Sequence, residues 1–337
     1  MKILFVGVLD VDWSTNCSMK RTLEDLGHIV IPFNYRTIAN DSSFSAICSS
    51  TLLDRWADKA TSFLRSDFAP LNLPWYYNRK NRRYMNNLLI DQVKKNKFDL
   101  VLLSKTDTVN YNLLPAINKY SPTWYYFMDC IDNARHINAK KYAANATWAS
   151  ASYSDVTEHF KKAGARVYWI TQGVDPIIFR PKDIPKIYDV VLVGTKNPKR
   201  LYYINALRKN GFQVTCFGQG WENPPIYQKE LSDLYNKSRI ILNFCARGSG
   251  FSIRVFQVMG AGGFLLSEFR PDLQSFFKQR EHLDWFCNKD ELLSKVNYYL
   301  AKDSLCEKIA RQGCSLVHKN HSWNAIMQKI LNIIKSP

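Results

Sequence analysis

The sequence predicts an α/β protein built from two doubly wound, parallel-sheet domains. Three observations carry that expectation. A strand ending in glycine, a polar loop, a helix and a second strand open the chain, from Lys2–Gly7 to Ile29–Pro32. The same order recurs near the midpoint, from Tyr188–Gly194 to Gln213–Gly218. Around these openings, short apolar runs alternate with helix-like stretches, as in βαβ crossovers that feed a parallel sheet.

Taken in order, Lys2-Ile-Leu-Phe-Val-Gly7 reads as the first strand, Met19–Gly27 as a helix with a glycine stop, and Ile29–Pro32 as the second strand. Residues 41–97 give no firm strand. They hold the densest basic cluster, Arg79, Lys80, Arg82, Arg83, Lys94, Lys95 and Lys97, with Asp91 as its single acid. Trp75, Tyr76 and Tyr77 precede it, and Tyr84 lies within it. Phe98–Ser104, Thr123–Met128 and Ala149–Ser152 read as further strands, Asp155–Gly164 as a helix and Val167–Thr171 as a closing strand. Pro176, Pro181 and Pro185 mark a linker.

In the second half, Lys199–Gly211 reads as a helix and Ile240–Cys245 as a buried strand. A loop with Gly248 and Gly250 then opens a short helix near Ser252, which stops at Gly260-Ala-Gly-Gly263 before the strand Phe264–Ser267. Trp323, Ile326, Ile330 and Ile334 recur at helical spacing and give the last helix one apolar face.

Composition bounds the function. The chain has 337 residues, enough for two ordinary domains, and is 46% hydrophobic and 14% aromatic, which excludes a disordered chain. The opening apolar run is too short for a secretory signal, and no run approaches membrane-spanning length. Eight cysteines without a Cys-x-x-Cys pair fit buried thiols in a reducing cytoplasm. A net charge of +17 calls for an anionic partner: a nucleotide, an anionic membrane surface or nucleic acid.

The chemistry concentrates in Arg247–Glu268. A strand, a glycine loop and a helix N-terminus present free backbone N–H groups and the positive end of a dipole to an anion. Arg254 lies in the first helical turn and can fork onto a phosphate; Gln257, three residues on, can reach a sugar hydroxyl. The segment reads as a nucleotide or nucleotide-sugar site. The alternative is that its glycines are only caps and close-packing positions. Asp10-Val-Asp12 mimics a metal-binding pair but follows a strand as a loop, so no metal site is expected.

These residues together resemble the GT-B glycosyltransferases, and within them the CgeB-like spore-maturation group, along most of the chain and least at residues 36–97. Thr171-Gln-Gly-Val-Asp175 with Phe179-Arg-Pro181 looks like the superfamily's hinge. Val191-Leu-Val-Gly194 with Arg200 resembles its donor-side opening, and Arg254-Val-Phe-Gln-Val-Met-Gly-Ala-Gly-Gly263 its helix signature. Glu291-Leu-Leu, Ile309–Gly313 and His321 are similar to its C-terminal pattern.

The resemblance implies two Rossmann-like domains facing a cleft. The expected boundaries are 1–175 for an acceptor-side domain, 176–187 for a linker, 188–320 for a nucleotide-sugar domain and 321–337 for a helix crossing back onto the N-terminal domain. The implied reaction moves a sugar from a nucleotide sugar, a UDP-sugar first, to an acceptor hydroxyl. A glycan or cell-envelope saccharide is the favoured acceptor, and modified DNA the other. No cofactor or metal is implied, because basic side chains and a helix N-terminus would stabilise the departing diphosphate.

The implied donor residues are Gly194, Thr195, Arg200, Gly218, Gly220, Gly248, Gly250, Phe251, Ser252, Arg254 and Gln257. On the acceptor side stand Ser14, Arg79, Lys80, Arg82 and Arg83, the basic run guiding an anionic acceptor or the membrane carrying one. Asp129 and Asp132, just past a parallel strand, are the candidate bases, with Lys105 placed to contact phosphate or lower an aspartate's pKa. Many retaining members carry two glutamates where this chain has Ser249 and Gln257, so a retaining mechanism does not follow from the segment, and inverting and retaining routes both stay open. The expected location is cytoplasmic, peripheral at the inner face of a membrane where one is engaged. Two other readings stand beside this one: a sugar-nucleotide isomerase on the same architecture, and a non-catalytic nucleic-acid-binding protein resting on the basic, aromatic 75–97 segment.

Overall fold

Eleven strands form two separate parallel sheets in the computed structural model, which describes residues 1–11, 13–40 and 79–335. Asp12, Cys48 and the aromatic triplet Trp75–Tyr77 lie outside the described residues. By internal packing the chain divides into two compact units. The first comprises Met1–Phe127, Ile137–Ser150 and Ala163–Val167; the second comprises Met128–His136, Ala151–Lys162 and Tyr168–Pro337.

The first sheet contains β1 (Lys2–Val6), β2 (Ile29–Phe33), β3 (Leu100–Ser104), β4 (Thr123–Phe127), β5 (Trp148–Ala151) and β6 (Val167–Trp169), in the order β2-β1-β3-β4-β5-β6. β3 and β4 are buried along their whole length, as expected of central strands covered on both faces. The second sheet contains β7 (Tyr188–Val193), β8 (Val214–Phe217), β9 (Ser238–Asn243), β10 (Leu265–Glu268) and β11 (Asp284–Phe286), in the order β11-β10-β9-β7-β8. All four of its strand pairings are parallel. In each sheet the direction of strand addition reverses beside the first strand, between β1 and β3 and between β7 and β9. Ligands of such folds bind outside the strand carboxyl ends at that reversal.

Both faces of the second sheet carry apolar layers. Phe251, Phe256, Met259, Phe277 and Trp285 pack in one, and Ile204, Leu207, Phe244, Phe286 and Tyr299 in the other. Asp284 is fully buried in β11 and accepts hydrogen bonds from the Trp285 N–H (2.8 Å), Gln279 Nε2 (2.7 Å), Lys295 Nζ (3.0 Å) and Tyr299 Oη (2.7 Å). A buried carboxylate with this many donors satisfies its lone pairs without water. Cys216, Cys245, Cys306 and Cys314 are buried thiols, and burial pushes Cys216 and Cys306 up to about 12 and Cys314 to about 11.

The sequence expectation for the helices needs two corrections. The glycine-loop helix runs Arg254–Gly260, with Ile253 already in αR geometry, so it opens two residues beyond Ser252. In the last helix, Trp323–Lys335, the buried face is Trp323, Ile326, Met327, Ile330 and Leu331. Ile334 is only half-buried, because the stripe follows the 3.6-residue turn and drifts away from a strict four-residue spacing.

The Thr171–Asp175 motif is stitched to the start of that helix. The Val174 N–H donates to the His321 carbonyl (2.8 Å) and the Trp323 N–H to the Val174 carbonyl (2.9 Å). Gly173 lies against the Trp323 ring, where a Cβ would come within 2.9 Å. The His321 ring is caged by Phe256, Phe276 and Phe277 and shares a 3.0 Å hydrogen bond between Nδ1 and the Thr171 hydroxyl.

Burial, and after it the Lys329 charge, pulls the His321 imidazole down to about 4 from an ordinary 6.5. The folded chain therefore holds the ring neutral where the unfolded chain protonates it. Stability is complete above pH 6.5 and falls as pH drops toward 4, by about 3 kcal/mol at most. In urea denaturation across that window, His321→Gln removes this slope relative to the parent. An imidazole that titrates near pH 6.5 in the native state would contradict the assignment.

Candidate functional site

The carboxyl ends of β7 and β9 bring two guanidinium groups to one glycine. Gly194 ends β7 at φ +132°, a conformation that favours glycine, and its N–H donates to the Phe217 carbonyl (2.8 Å). A Cβ built there would lie 2.8 Å from Arg200 Nη1 and 3.0 Å from Arg254 Nη2. Gly218, at the end of β8, touches Gly194 so closely that its own Cβ would meet the Gly194 carbonyl oxygen at 2.6 Å. Trp221 Nε1 donates to that same oxygen (2.9 Å), the Lys196 ammonium stands 5.3 Å from the Trp221 ring centre, and Gly220 lies against the Lys196 stem.

Each arginine is aimed by local structure. Asn197 caps the helix Pro198–Lys209 by accepting from the Arg200 N–H (2.9 Å), which places Arg200 in the first turn. Arg200 Nη1 donates to the carbonyl of the exposed Thr195 (2.5 Å), while its Nε is buried without a partner. Arg254 Nη1 donates to Asn243 Oδ1 at the end of β9 (3.0 Å), and Ser252 Oγ approaches the same oxygen (3.4 Å). Burial, and after it the Arg254 charge, pulls the Arg200 guanidinium down to about 10. Among the described residues no carboxylate pairs with either arginine. Glu268, at the end of β10, is engaged by Lys199 (2.5 Å), Arg270 (3.2 Å) and the Cys245 N–H (3.0 Å). Two adjacent cations at a sheet reversal, with no carboxylate partner among the described residues, have the charge and fork geometry that suit a dianion.

The glycine loop is held by groups that sequence reasoning missed. The Ser249 N–H donates to Asp155 Oδ2 (3.0 Å), the Ser249 hydroxyl to Asp272 Oδ2 (3.0 Å), and the Asp155 N–H to Ser249 Oγ (3.1 Å). Asp272 also accepts from the Ser154 N–H (3.0 Å) and the Ser154 hydroxyl (2.5 Å). Gly248, at φ +111°, has no room for a Cβ beside Asp155 (2.6 Å), and Gly250 lies flat on the Tyr153 ring, 2.2 Å from Cγ for a built Cβ. The only sequence signal for Ser154 and Asp155 is that of a helix start; their partners lie about a hundred residues away.

Other expected residues fall into distinct settings. The Phe251 side chain is buried against Phe256, Phe276 and Phe277 and belongs to the core. Gln257 is half-buried on the helix that carries Arg254. Asp129, half-buried past β4, accepts from the Cys130 N–H (2.8 Å) and Asn133 Nδ2 (2.8 Å), while Asp132 is exposed in the first turn of Ile131–His136. Lys105 belongs to the first unit, exposed and at φ +48°, with its carbonyl accepting from Tyr35 Oη (3.1 Å). Ser14 is buried as the cap of Thr15–Asp25, its hydroxyl donating to the Val8 carbonyl (2.8 Å). Arg79, Lys80, Arg82 and Arg83 fall in the first turns of the helix Arg79–Lys95. Asp10 accepts from Thr37 Oγ1 (3.0 Å). Among the described residues no group of three His, Cys, Asp or Glu side chains is placed to hold a metal ion.

With this geometry in place, comparisons locate the chain among known proteins. Residues 200–332, which include both arginines, match the family model "Glycosyl transferase-like". No curated protein matches the sequence. Among solved structures, HepE from Anabaena, in complex with UDP-glucose, is 12% identical with a TM-score of 0.65, and each chain is covered completely. Sucrose-phosphate synthase from Thermosynechococcus elongatus is 13% identical with a TM-score of 0.65, covering 99% of this chain and 98% of its own. A glycosyltransferase from Rickettsia africae is 15% identical with a TM-score of 0.62, covering 99% and 97%. The architecture is thus that of the GT-B glycosyltransferase structures, with two Rossmann-like domains. More particularly, the segment that carries Arg200 and Arg254 is glycosyl transferase-like in sequence.

Asp272→Ala removes the acceptor shared by Ser154 and Ser249 and leaves half-buried donors unsatisfied. It should cost about 1–3 kcal/mol in urea denaturation. A loss below about 0.5 kcal/mol, the range of an ordinary surface change, would mean that the loop is held by other contacts.

Proposed function

We propose that this protein is a glycosyltransferase that takes a sugar from a nucleotide sugar, with the donor diphosphate held by Arg200 and Arg254. The observation that carries the reading is the pair of guanidinium groups converging on Gly194 with no acid paired to them among the described residues. A nucleoside diphosphate is the leaving group of such a transfer, and it gathers negative charge as the glycosidic bond breaks. Cations already in place stabilise that charge without reorganising. A UDP-sugar is the first donor to test, since HepE was solved with UDP-glucose. Gly218, Gly220 and Trp221 border the diphosphate position and would receive the nucleoside, while Gln257, one helical turn from Arg254, would bond a sugar or ribose hydroxyl.

The acceptor is a hydroxyl of a glycan or cell-envelope saccharide, in keeping with the resemblance to the CgeB-like group. Its proton goes to a carboxylate, and we assign that role to Asp129, whose orientation is set by Asn133 and the Cys130 N–H. Asp132 is the more exposed neighbour. Ser249 is committed to Asp155 and Asp272, so the loop supplies no carboxylate of its own.

A thermal-shift screen against nucleoside diphosphates and their sugars, followed by turnover with saccharide acceptors, tests the reading. Turnover of the nucleotide sugar without any acceptor would point to an isomerase instead. In calorimetry, Arg254→Ala and Arg200→Ala should each weaken binding of the stabilising nucleotide by about 1.5–3 kcal/mol, the range for a charge-assisted hydrogen bond. Unchanged affinity in folded variants would remove the diphosphate from this position.

Charge stabilisation by two arginines needs no divalent ion, so donor turnover should persist after exhaustive EDTA treatment. Loss of turnover that added Mg²⁺ or Mn²⁺ restores would overturn metal independence.

A further inference from the structure

Three helices of the first unit place a cluster of basic residues on one face of its sheet. The connections from β2 to β3, β3 to β4 and β4 to β5 all step in the same direction across the sheet, and right-handed crossovers place their helices on one face. Arg79–Lys95 packs against Leu114–Ile117, which packs against Ala139–Asn145. Within these three helices the basic residues are Arg79, Lys80, Arg82, Arg83, Lys94, Lys95, Lys140 and Lys141, and the one acid is Asp91. Arg83, Lys94, Lys95 and Lys140 are exposed, and among the described residues no acid pairs with them. Lys141 extends over the Tyr111 ring (5.2 Å), and Lys119 and the half-exposed Tyr120 follow the middle helix. The helix on the other face, Thr15–Asp25, is balanced: Lys20 and Arg21 stand with Glu24 and Asp25, and Lys20 pairs with Glu24 at 2.7 Å.

We propose that this three-helix face binds the surface of an anionic phospholipid bilayer. Its exposed charges are mostly lysines, compact point charges on flexible stems, spread over helices lying side by side on a sheet. Such an array suits a plane of anionic headgroups, whereas a nucleic-acid strand is gripped by guanidinium forks and stacking platforms. Tyrosine at the rim suits the headgroup level. Among the described residues no helix is long and apolar enough to cross a membrane, so the association is peripheral. The inference is independent of the transfer reaction, since it requires no donor.

The test is flotation of the full chain, without nucleotide, on phosphatidylcholine vesicles and on two-to-one phosphatidylcholine–phosphatidylglycerol vesicles. The protein should float with the anionic vesicles only, and should release at about 1 M salt, where the screening length is about 3 Å. Changing Lys94, Lys95, Lys140 and Lys141 to Gln should lower anionic-vesicle partitioning about tenfold or more. A control removes the same charge from the second unit, at the exposed Lys209, Lys229, Lys308 and Lys319, and should keep partitioning within about twofold of the parent. Equal loss in both variants would reduce the effect to diffuse net charge and overturn the proposal. Failure to float would also overturn it, as would duplex DNA displacing the protein from vesicles and losing its own binding in the first variant alone.

Discussion

Two like charges held together, with no carboxylate partner among the described residues, are the constraint around which the second unit is arranged. Arg200 and Arg254 meet at Gly194, and each raises the energy of the other. A pair of this kind stays in place only if the backbone aims it, because free arginines would separate into solvent. Asn197 fixes one at a helix start, and Asn243 fixes the other from the end of a strand. Both anchors lie at the carboxyl side of the sheet where strand order reverses. A dianion placed between the two groups would relieve that repulsion.

The glycines are consequences of the same crowding. Gly194 and Gly218 let two strand ends touch, and Gly248 and Gly250 let a loop lie on Asp155 and Tyr153. A methyl group would meet guanidinium groups at Gly194, backbone at Gly218, a carboxylate at Gly248 and a ring at Gly250. The loop's glycines thus serve close packing and not the flexibility that glycine confers on an open chain. Asp155 and Asp272, acceptors from two different helices, clamp Ser249 between them. Where a glutamate would project a carboxylate, Ser249 turns its hydroxyl into the framework.

Much of this was readable in the linear chain. The apolar runs of β1, β3, β4, β7 and β9 announce buried parallel strands, and the glycine stops after β1 and β7 mark where loops turn. Arg200 and Arg254 were singled out because each follows a strand and a loop. Phe251 was grouped with them by its place beside Gly250, yet its ring packs into the core. Position next to a motif does not say which way a side chain points. Tyr153, Ser154, Asp155 and Asp272 carried no signal of their own, since each looks like an ordinary helix start or strand end.

What the sequence determined by itself is whatever depends on neighbours in the chain: strand and helix periodicity, the capping of Arg200 by Asn197, the positive-φ turns, and the excess of basic over acidic residues. What the tertiary structure decided is whatever depends on meetings between distant segments. The clamp on the glycine loop joins residues 94 and 118 positions apart, and the Thr171–His321 contact spans 150. The one-sidedness of the basic helices likewise follows from the handedness of three crossovers. Periodicity and caps are local energies that each segment satisfies alone, whereas these meetings exist only once the sheets have closed and brought the strand ends together.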